Sequence, residues 1–223
     1  RQLIGEATLD HARALVREAR RFAPGLAMQC ASSVTVLAVQ GLVGLVLTRR
    51  AMERSNAGAV TVALDQHPGL LRGSGKRGDV IAFARDGKHV TLRAGEAKLS
   101  AGTATAGSQL VANAKVQLES TLQRAHHLQA THGLERRVRN QLIQTLTHHI
   151  EMADSPGAAD ALLAALLDRD CSVELDPLSV CEVHAWGLDG GDPVTLEHDE
   201  EPRCFVHSEE ETRRALEEML ASS

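Results

Sequence analysis

Gly78-Asp79-Val80-Ile81-Ala82-Phe83-Ala84-Arg85-Asp86-Gly87-Lys88-His89-Val90-Thr91-Leu92-Arg93-Ala94-Gly95-Glu96-Ala97-Lys98 is the stretch on which the fold turns. Two runs rich in apolar and β-branched residues flank Asp86-Gly87, a dipeptide that accepts positive φ at both central positions of a tight hairpin turn. Pairing Arg85 with Lys88 sets Phe83 against Val90, Ile81 against Leu92 and Asp79 against Ala94, and directly opposed residues share a side of a sheet. One side then carries Phe83, Ile81, Val90, Leu92 and Ala94 and ends in Asp79, Glu96 and Lys98, so an apolar face terminates in charge. A one-residue slip would carry Asp79 to the side opposite Glu96 and set Ile81 and Phe83 against Arg93 and Thr91, which the apolar pattern disfavours.

In this register Asp79 and Glu96 are diagonal neighbours, with Cα atoms roughly 7–8 Å apart, and their side chains can converge on one ion. Magnesium takes one or two carboxylates and keeps several waters. Two carboxylates on an apolar rim repel, and one protonates unless a cation is present; Lys98 offsets part of that charge. A metal held there would bind a scissile phosphate and lower the pKa of an attacking water. Lys98 would orient that water or stabilise charge developing on the phosphoryl oxygens. The chain has four lysines against twenty arginines, and all four lie between residues 76 and 115, so a compact, pKa-adjustable ammonium is concentrated near the acids. The alternative for the same residues is an exposed strand-end ion pair between Glu96 and Lys98.

An acid on one strand followed by Glu-x-Lys on the next resembles the PD-(D/E)xK nuclease superfamily, with Asp79 matching the first acid, Glu96 the second and Lys98 the lysine. The resemblance implies an α/β fold with a restriction-endonuclease-like mixed sheet in an αβββαβ core. It also implies Mg²⁺-dependent phosphodiester hydrolysis, with Mn²⁺ able to substitute, and a metal site completed by the carbonyl of Ala97 beside Asp79 and Glu96. The usual proline before the first acid is replaced by Gly78. More locally, Leu64-Asp65-Gln66-His67-Pro68-Gly69, then Arg77-Gly78-Asp79 and Glu96-Ala97-Lys98, is similar to the nuclease-like region at the end of large ATPases in bacterial phage-defence and modification-dependent restriction systems. That likeness spans residues 59–125 and implies one domain of a longer protein, with which a chain opening at Arg1 without methionine agrees.

The flanking sequence follows the same order. Residues 59–65 read as a strand, 107–131 as a helix after the third strand, and Leu178 to Trp186 as a later strand. Between these last two, residues 133–153 and a helix opening at Ser155-Pro156, with serine as N-cap and proline first, read as helices inserted before the last core strand. The expected division is residues 1–56 as N-terminal helices packed on the core and 57–223 as the nuclease-like domain, with a helical insertion at about 133–168 and an acidic C-terminal helix. Ser208-Glu209-Glu210-Glu211 is a capping box for that helix, which runs to about Leu220. Gly25 to Thr48 is uncharged over 24 residues, long enough to span a bilayer. Gln29, Ser33, Gln40 and Gly44 recur near helical spacing, however, and the polar stripe reads as a buried helix before the first strand, not an anchor.

Asp65 and His67 follow the first strand and are accessory candidates; an Asp-x-His-Pro turn capping its own backbone is the alternative. Gln117, about one helix beyond the Glu-x-Lys, is similar to a glutamine that some superfamily branches place near the site, against the plainer reading of an exposed helical glutamine. Lys76, Arg77 and Lys115 are candidates for DNA-backbone contact. Residues 73–78 do not make a phosphate-binding P-loop, because Leu70 stands where a glycine is needed and Arg77 where serine or threonine is needed.

Charge is uneven within a net −5: residues 72–98 carry seven Lys/Arg against three acids, and residues 189–221 eleven acids against three arginines. The basic stretch coincides with the proposed acids and lysine, as a polyanionic substrate would favour. Three Phe, one Trp and no Tyr are too few for a base-stacking platform and favour backbone-directed contact. Cysteines at 30, 171, 181 and 204 are too widely spaced for a zinc knuckle or a disulfide scaffold and fit a reducing cytoplasm. The pairs His126-His127 and His148-His149 point to different helix faces and read as solvated positions. The expected function is a Mg²⁺-dependent DNA endonuclease domain serving an ATPase or helicase in the same chain or complex, with no membrane partner and homo-oligomerisation left open. The alternative is a catalytically silent DNA-binding or assembly module of the same fold.

Overall fold

A computed structural model describes residues 9–22, 27–28, 36–55, 58–67, 78–100, 109–130, 134–152, 157–168, 170–174, 182–187, 194–196 and 203–221. Among them the chain is mixed α/β. Helices α1 (Leu9–Phe22) and α2 (Val36–Arg54) precede strands β1 (Val60–Ala63), β2 (Val80–Asp86) and β3 (His89–Ser100). Three helices follow, α3 (Gln109–Ala130), α4 (Leu134–Met152) and α5 (Gly157–Leu167). Strands β4 (Ser172–Glu174), β5 (Glu182–Gly187), β6 (Val194–Leu196) and β7 (Arg203–His207) lead to α6 (Glu209–Ala221).

The central hairpin forms on the expected strands with a different turn. Asp86 pairs with His89, Arg85 with Val90, Phe83 with Leu92 and Ile81 with Ala94, so Gly87 and Lys88 occupy the two turn positions. Gly87 takes φ +57°, and a residue without Cβ meets that demand at no steric cost. Arg85 Nε donates to the Gly87 carbonyl at 3.0 Å and braces the turn. The register therefore differs by two residues from the one the Asp86-Gly87 turn predicts. A two-residue shift keeps every side chain on its side of the sheet, and it carries the last pair to Val80 with Gly95, next to Asp79 and Glu96.

The sheet runs β1-β2-β3-β5-β7-β6, with β4 beside β3 as well. The meander β1-β2-β3 is antiparallel, β5 lies parallel to β3, β7 parallel to β5, and β6 closes the edge antiparallel to β7. Long β3 divides its second edge: His89 to Thr91 pairs with β4, and Gly95 to Ser100 pairs with β5. Strands β6 and β7 extend the sheet past β5, the strand expected to be last. Of the expected strand from Leu178 to Trp186, residues 182–186 are found in β5 and 178–181 lie outside the described residues.

Each face of the meander has its own core. On one, Val60, Val62, Leu64, Ile81, Phe83, Val90 and Leu92 pack against Leu142 and Leu146 of α4 and Leu162 and Leu166 of α5. The helices expected as an insertion thus supply the helical half of this core. On the other, Ala63, Val80 and Ala82 meet Leu45 and Met52 of α2 and Phe22 of α1. Helix α2 holds the second half of the uncharged stretch, and Leu42 to Thr48 are buried along it. Arg49 and Arg50 continue the helix and bond to Glu53 (2.9 Å) and Glu18 (2.6 Å). No helix among the described residues is long and apolar enough to cross a membrane. The capping box of α6 forms as expected: Glu211 N–H donates to Ser208 Oγ and Ser208 N–H to Glu211 Oε2, each at 3.2 Å. Helix α5 is described from Gly157; Ser155 and Pro156 lie outside the described residues.

Candidate functional site

Asp79 stands at the threshold of β2 and is held by backbone bonds on both sides. Its N–H donates to the Gly95 carbonyl and its own carbonyl accepts from Leu64 N–H, each at 2.9 Å, so both neighbouring segments hold it just outside the strand. Its side chain turns across the strand gap, where Oδ2 accepts the Ala97 N–H at 2.9 Å. Glu96 lies beside it and is wholly buried. One of its oxygens, Oε1, bonds to Lys98 Nζ, Oε2 accepts from no N–H or O–H donor among the described residues, and the carboxyl also meets Asp79 through a hydrogen bond. The sequence-derived triad Asp79, Glu96 and Lys98 is therefore brought together on one side of the sheet.

The electrostatics follow from that burial. Loss of water, then the nearby Asp79 charge, push the Glu96 carboxyl up to about 8 against the pull of Lys98. Burial also raises Asp79, opposed by Lys98 and by the Ala97 N–H, while the charge of Asp65 adds to the rise. At neutral pH the Glu96 carboxyl thus holds a proton that an approaching cation would displace.

A divalent cation would find two carboxyls and a backbone carbonyl here. Two buried carboxyls in contact cannot both ionise cheaply, and Glu96 and Asp79 are such a pair. A hard cation such as Mg²⁺ needs no more than one or two carboxylates from the protein. Among the described residues no group of three or more His, Cys, Asp and Glu is arranged to hold a metal, so the ion would rest on Asp79, Glu96, a carbonyl and water. The two described cysteines, Cys171 and Cys204, are free and buried.

Gly78 has a specific role in this arrangement. Its N–H donates to Thr121 Oγ1 of α3 at 2.7 Å in a buried bond, and a Cβ at this position would lie 3.2 Å from the Gly95 carbonyl oxygen. Proline would lack the donor and crowd that oxygen, which accounts for glycine before the acid. Thr121 in turn donates to the Gln117 carbonyl at 3.1 Å, so α3 runs past Asp79 with Gln117 one turn away. Neither Gly78 nor Thr121 was singled out as a contributor by the sequence; the only signal was the missing proline.

The accessory candidates separate. Asp65, exposed in the short 3₁₀ turn Leu64–Gln66, is near enough to act on Asp79. His67 faces α4 instead: Nδ1 lies 3.3 Å from Thr145 Oγ1 and the ring meets His148 edge-on at 6.5 Å. Lys115 acts on the Cys204 thiol of β7, which burial raises and Lys115 lowers. Cys204 pairs with Val183, and Val183 pairs with Glu96, so Lys115 lies over the acid side of the sheet two strands from Glu96. Lys76 and Arg77 lie outside the described residues.

No family model, curated protein or solved structure matches the chain. Its functional reading accordingly rests on the residues themselves.

Proposed function

We propose that this chain is a metal-dependent DNA endonuclease domain of PD-(D/E)xK type, hydrolysing phosphodiester bonds in the service of an ATPase or translocase. The observation that carries the reading is the buried Glu96 carboxyl, in contact with Asp79 and two residues before Lys98, so that two acids and a lysine meet at one sheet margin. The element order α2-β1-β2-β3-α3 followed by β5 parallel to β3 supports the same reading, since it is the order that the resemblance implies.

Asp79 and Glu96 would hold the cation, with the Ala97 carbonyl beside them. When bound, Mg²⁺ supplies charge to the scissile phosphate and lowers the pKa of its water. Lys98 keeps its ammonium partly exposed at the edge of the buried acid, where it can donate to an attacking water or a phosphoryl oxygen. Ala97 N–H holds Asp79 Oδ2 in place, so the protein orients the acid toward Glu96. Lys115, on the same side, is available to the DNA backbone.

A second reading, a silent DNA-binding or assembly module, is favoured by one observation: Lys98 Nζ bonds to Glu96 Oε1 and offsets part of the acid's charge without any metal. Cleavage of supercoiled and linear DNA in Mg²⁺, Mn²⁺ or EDTA decides between them. The nuclease reading expects cutting that EDTA abolishes and that Glu96→Gln and Lys98→Ala each reduce by about 10²-fold or more. DNA binding that survives EDTA and both substitutions, with no cutting even when the chain is joined to its ATPase and given ATP, would establish the silent module.

A further inference from the structure

The side of the sheet turned away from Asp79 and Glu96 gathers rings in a chain that has few. His184 pairs with Phe205 and Trp186 with His207 across β5 and β7, so all four share one side. Their planes lie within 6–16° of one another, and Trp186 stacks on His207 with centroids 3.6 Å apart. Trp186 and His184 are buried behind, and the half-buried Phe205 and His207 form the accessible floor of a cavity of about 440 Å³. That volume lies within the range of small-molecule sites, roughly 300–1,000 Å³.

The chemistry of the wall restricts its ligand. Trp186 Nε1–H is satisfied by Thr48 Oγ1 at 3.1 Å, and His184 Nδ1 and His207 Nε2 share a hydrogen bond at 3.0 Å. Burial, then His184 and Arg54, push the His207 ring down to about 3, so it is neutral at physiological pH. Glu211 Oε2, 3.7 Å from His207 Nδ1 and accepting the Ser208 N–H of the helix cap, does not outweigh that burial. The charged rim is balanced: Arg54 bonds to Glu218 at 2.7 Å and Arg214 to Glu210 at 3.2 Å. Among the described residues a phosphate finds no surplus cation here, whereas a flat uncharged ring finds aromatic faces and an edge of mixed donors and acceptors.

We propose that this cavity binds a nucleobase-type heterocycle, its ring against Phe205 and His207 and its edge toward Glu211 and Arg214, either as a free nucleoside or as a base within a strand. The site lies on the opposite side of the sheet from the acids and does not depend on the hydrolytic reading.

Trp186 is the only tryptophan of the chain and reports the cavity directly. Its emission is titrated with adenosine, guanosine and cytidine, with a single-stranded ten-nucleotide DNA, and with ribose and inorganic phosphate as controls, in the Glu96→Gln protein so that no strand is cut. Saturable change with a nucleoside, weakened at least tenfold by His207→Gln and by Phe205→Leu while circular dichroism is unchanged, establishes a small-molecule site. The same pattern with the oligonucleotide alone assigns the ring to a base within a strand. No saturable change with any nucleoside or the oligonucleotide up to millimolar concentration, a response to phosphate equal to that of nucleosides, or midpoints indifferent to both substitutions overturns the proposal.

Discussion

A buried glutamate that keeps its proton to about pH 8 has a measurable signature at the scale of a single residue. Because the folded chain holds this proton while the unfolded one releases it near 4.5, stability is greatest below that value and falls as pH rises toward 8. His207 works in the opposite sense: with its ring pushed down to about 3 in the folded chain, stability is lost as pH falls from 6.5 toward 3. Asp79, also raised by burial, acts in the same sense as Glu96, and His207 opposes both below pH 6.5. Between pH 6.5 and 8 in EDTA, the parent should lose about 2 kcal/mol, a fall in Tm of roughly 4–8 °C. Glu96→Gln should flatten that slope, and Mn²⁺ should raise the parent's Tm more at pH 8 than at pH 6.5. A parent melting curve as flat as that of the variant would show that Glu96 is ionised without metal. The triad was legible in the sequence because Asp79, Glu96 and Lys98 stand near one another along a single hairpin. The burial of Glu96 was not, since it depends on which atoms α3 and the strands leave beside it.

At the scale of elements, the site depends on a helix docked to a hairpin. Thr121 of α3 accepts the only polar hydrogen of Gly78 and so fixes the residue that leads into Asp79. Thr121→Val, nearly isosteric, leaves that buried N–H unmade and should cost about 1–3 kcal/mol, while Thr121→Ser should restore most of it. Denaturant melts of the two variants test this, and equal stability of valine and serine would mean that water replaces the hydroxyl. The hairpin also shows how turn chemistry limits a sequence reading. Asp86-Gly87 and Gly87-Lys88 both offer a glycine to a two-residue turn, and the strands' apolar alternation cannot choose between registers two residues apart, because both bury the same set. Period fixed the side on which each residue lies, and only the fold fixed its partner. The short strands β4, β6 and β7 escaped the sequence for another reason: three to five residues carry too little alternation to stand out from loops.

Taken as a whole molecule, the chain does not divide where its composition suggests. Residues 133–168 look appended, yet Leu142, Leu146, Leu162 and Leu166 cover Ile81, Phe83, Val90 and Leu92. Arg139 ties the same helices to the sheet margin, donating to the Leu166 carbonyl at 2.8 Å, to the Asp168 carbonyl at 3.0 Å and to the Cys171 carbonyl. Replacing residues 133–168 by a short glycine-serine linker should therefore yield a chain without a cooperative melt, because truncating even one buried leucine costs about 2–5 kcal/mol. A sharp thermal transition in that deletion protein would show that the helices are an ornament after all. This layer was visible in the sequence as helices but not as core, since their apolar faces give no sign of the surface they cover.

The divided edge of β3 also sets a timetable for synthesis. Its hairpin partner β2 emerges just before it, but Gly95 to Ser100 must wait for Glu182 to Gly187, 87 residues later by the Gly95–Glu182 pair. At about 5–20 residues per second the nascent chain passes roughly 4–17 s with that edge unpaired. An open edge recruits stray strands, and a charged residue pointing from it is a deterrent. Lys98 sits in the middle of this waiting segment, so the ammonium that meets Glu96 in the folded chain also guards the growing chain against wrong pairing.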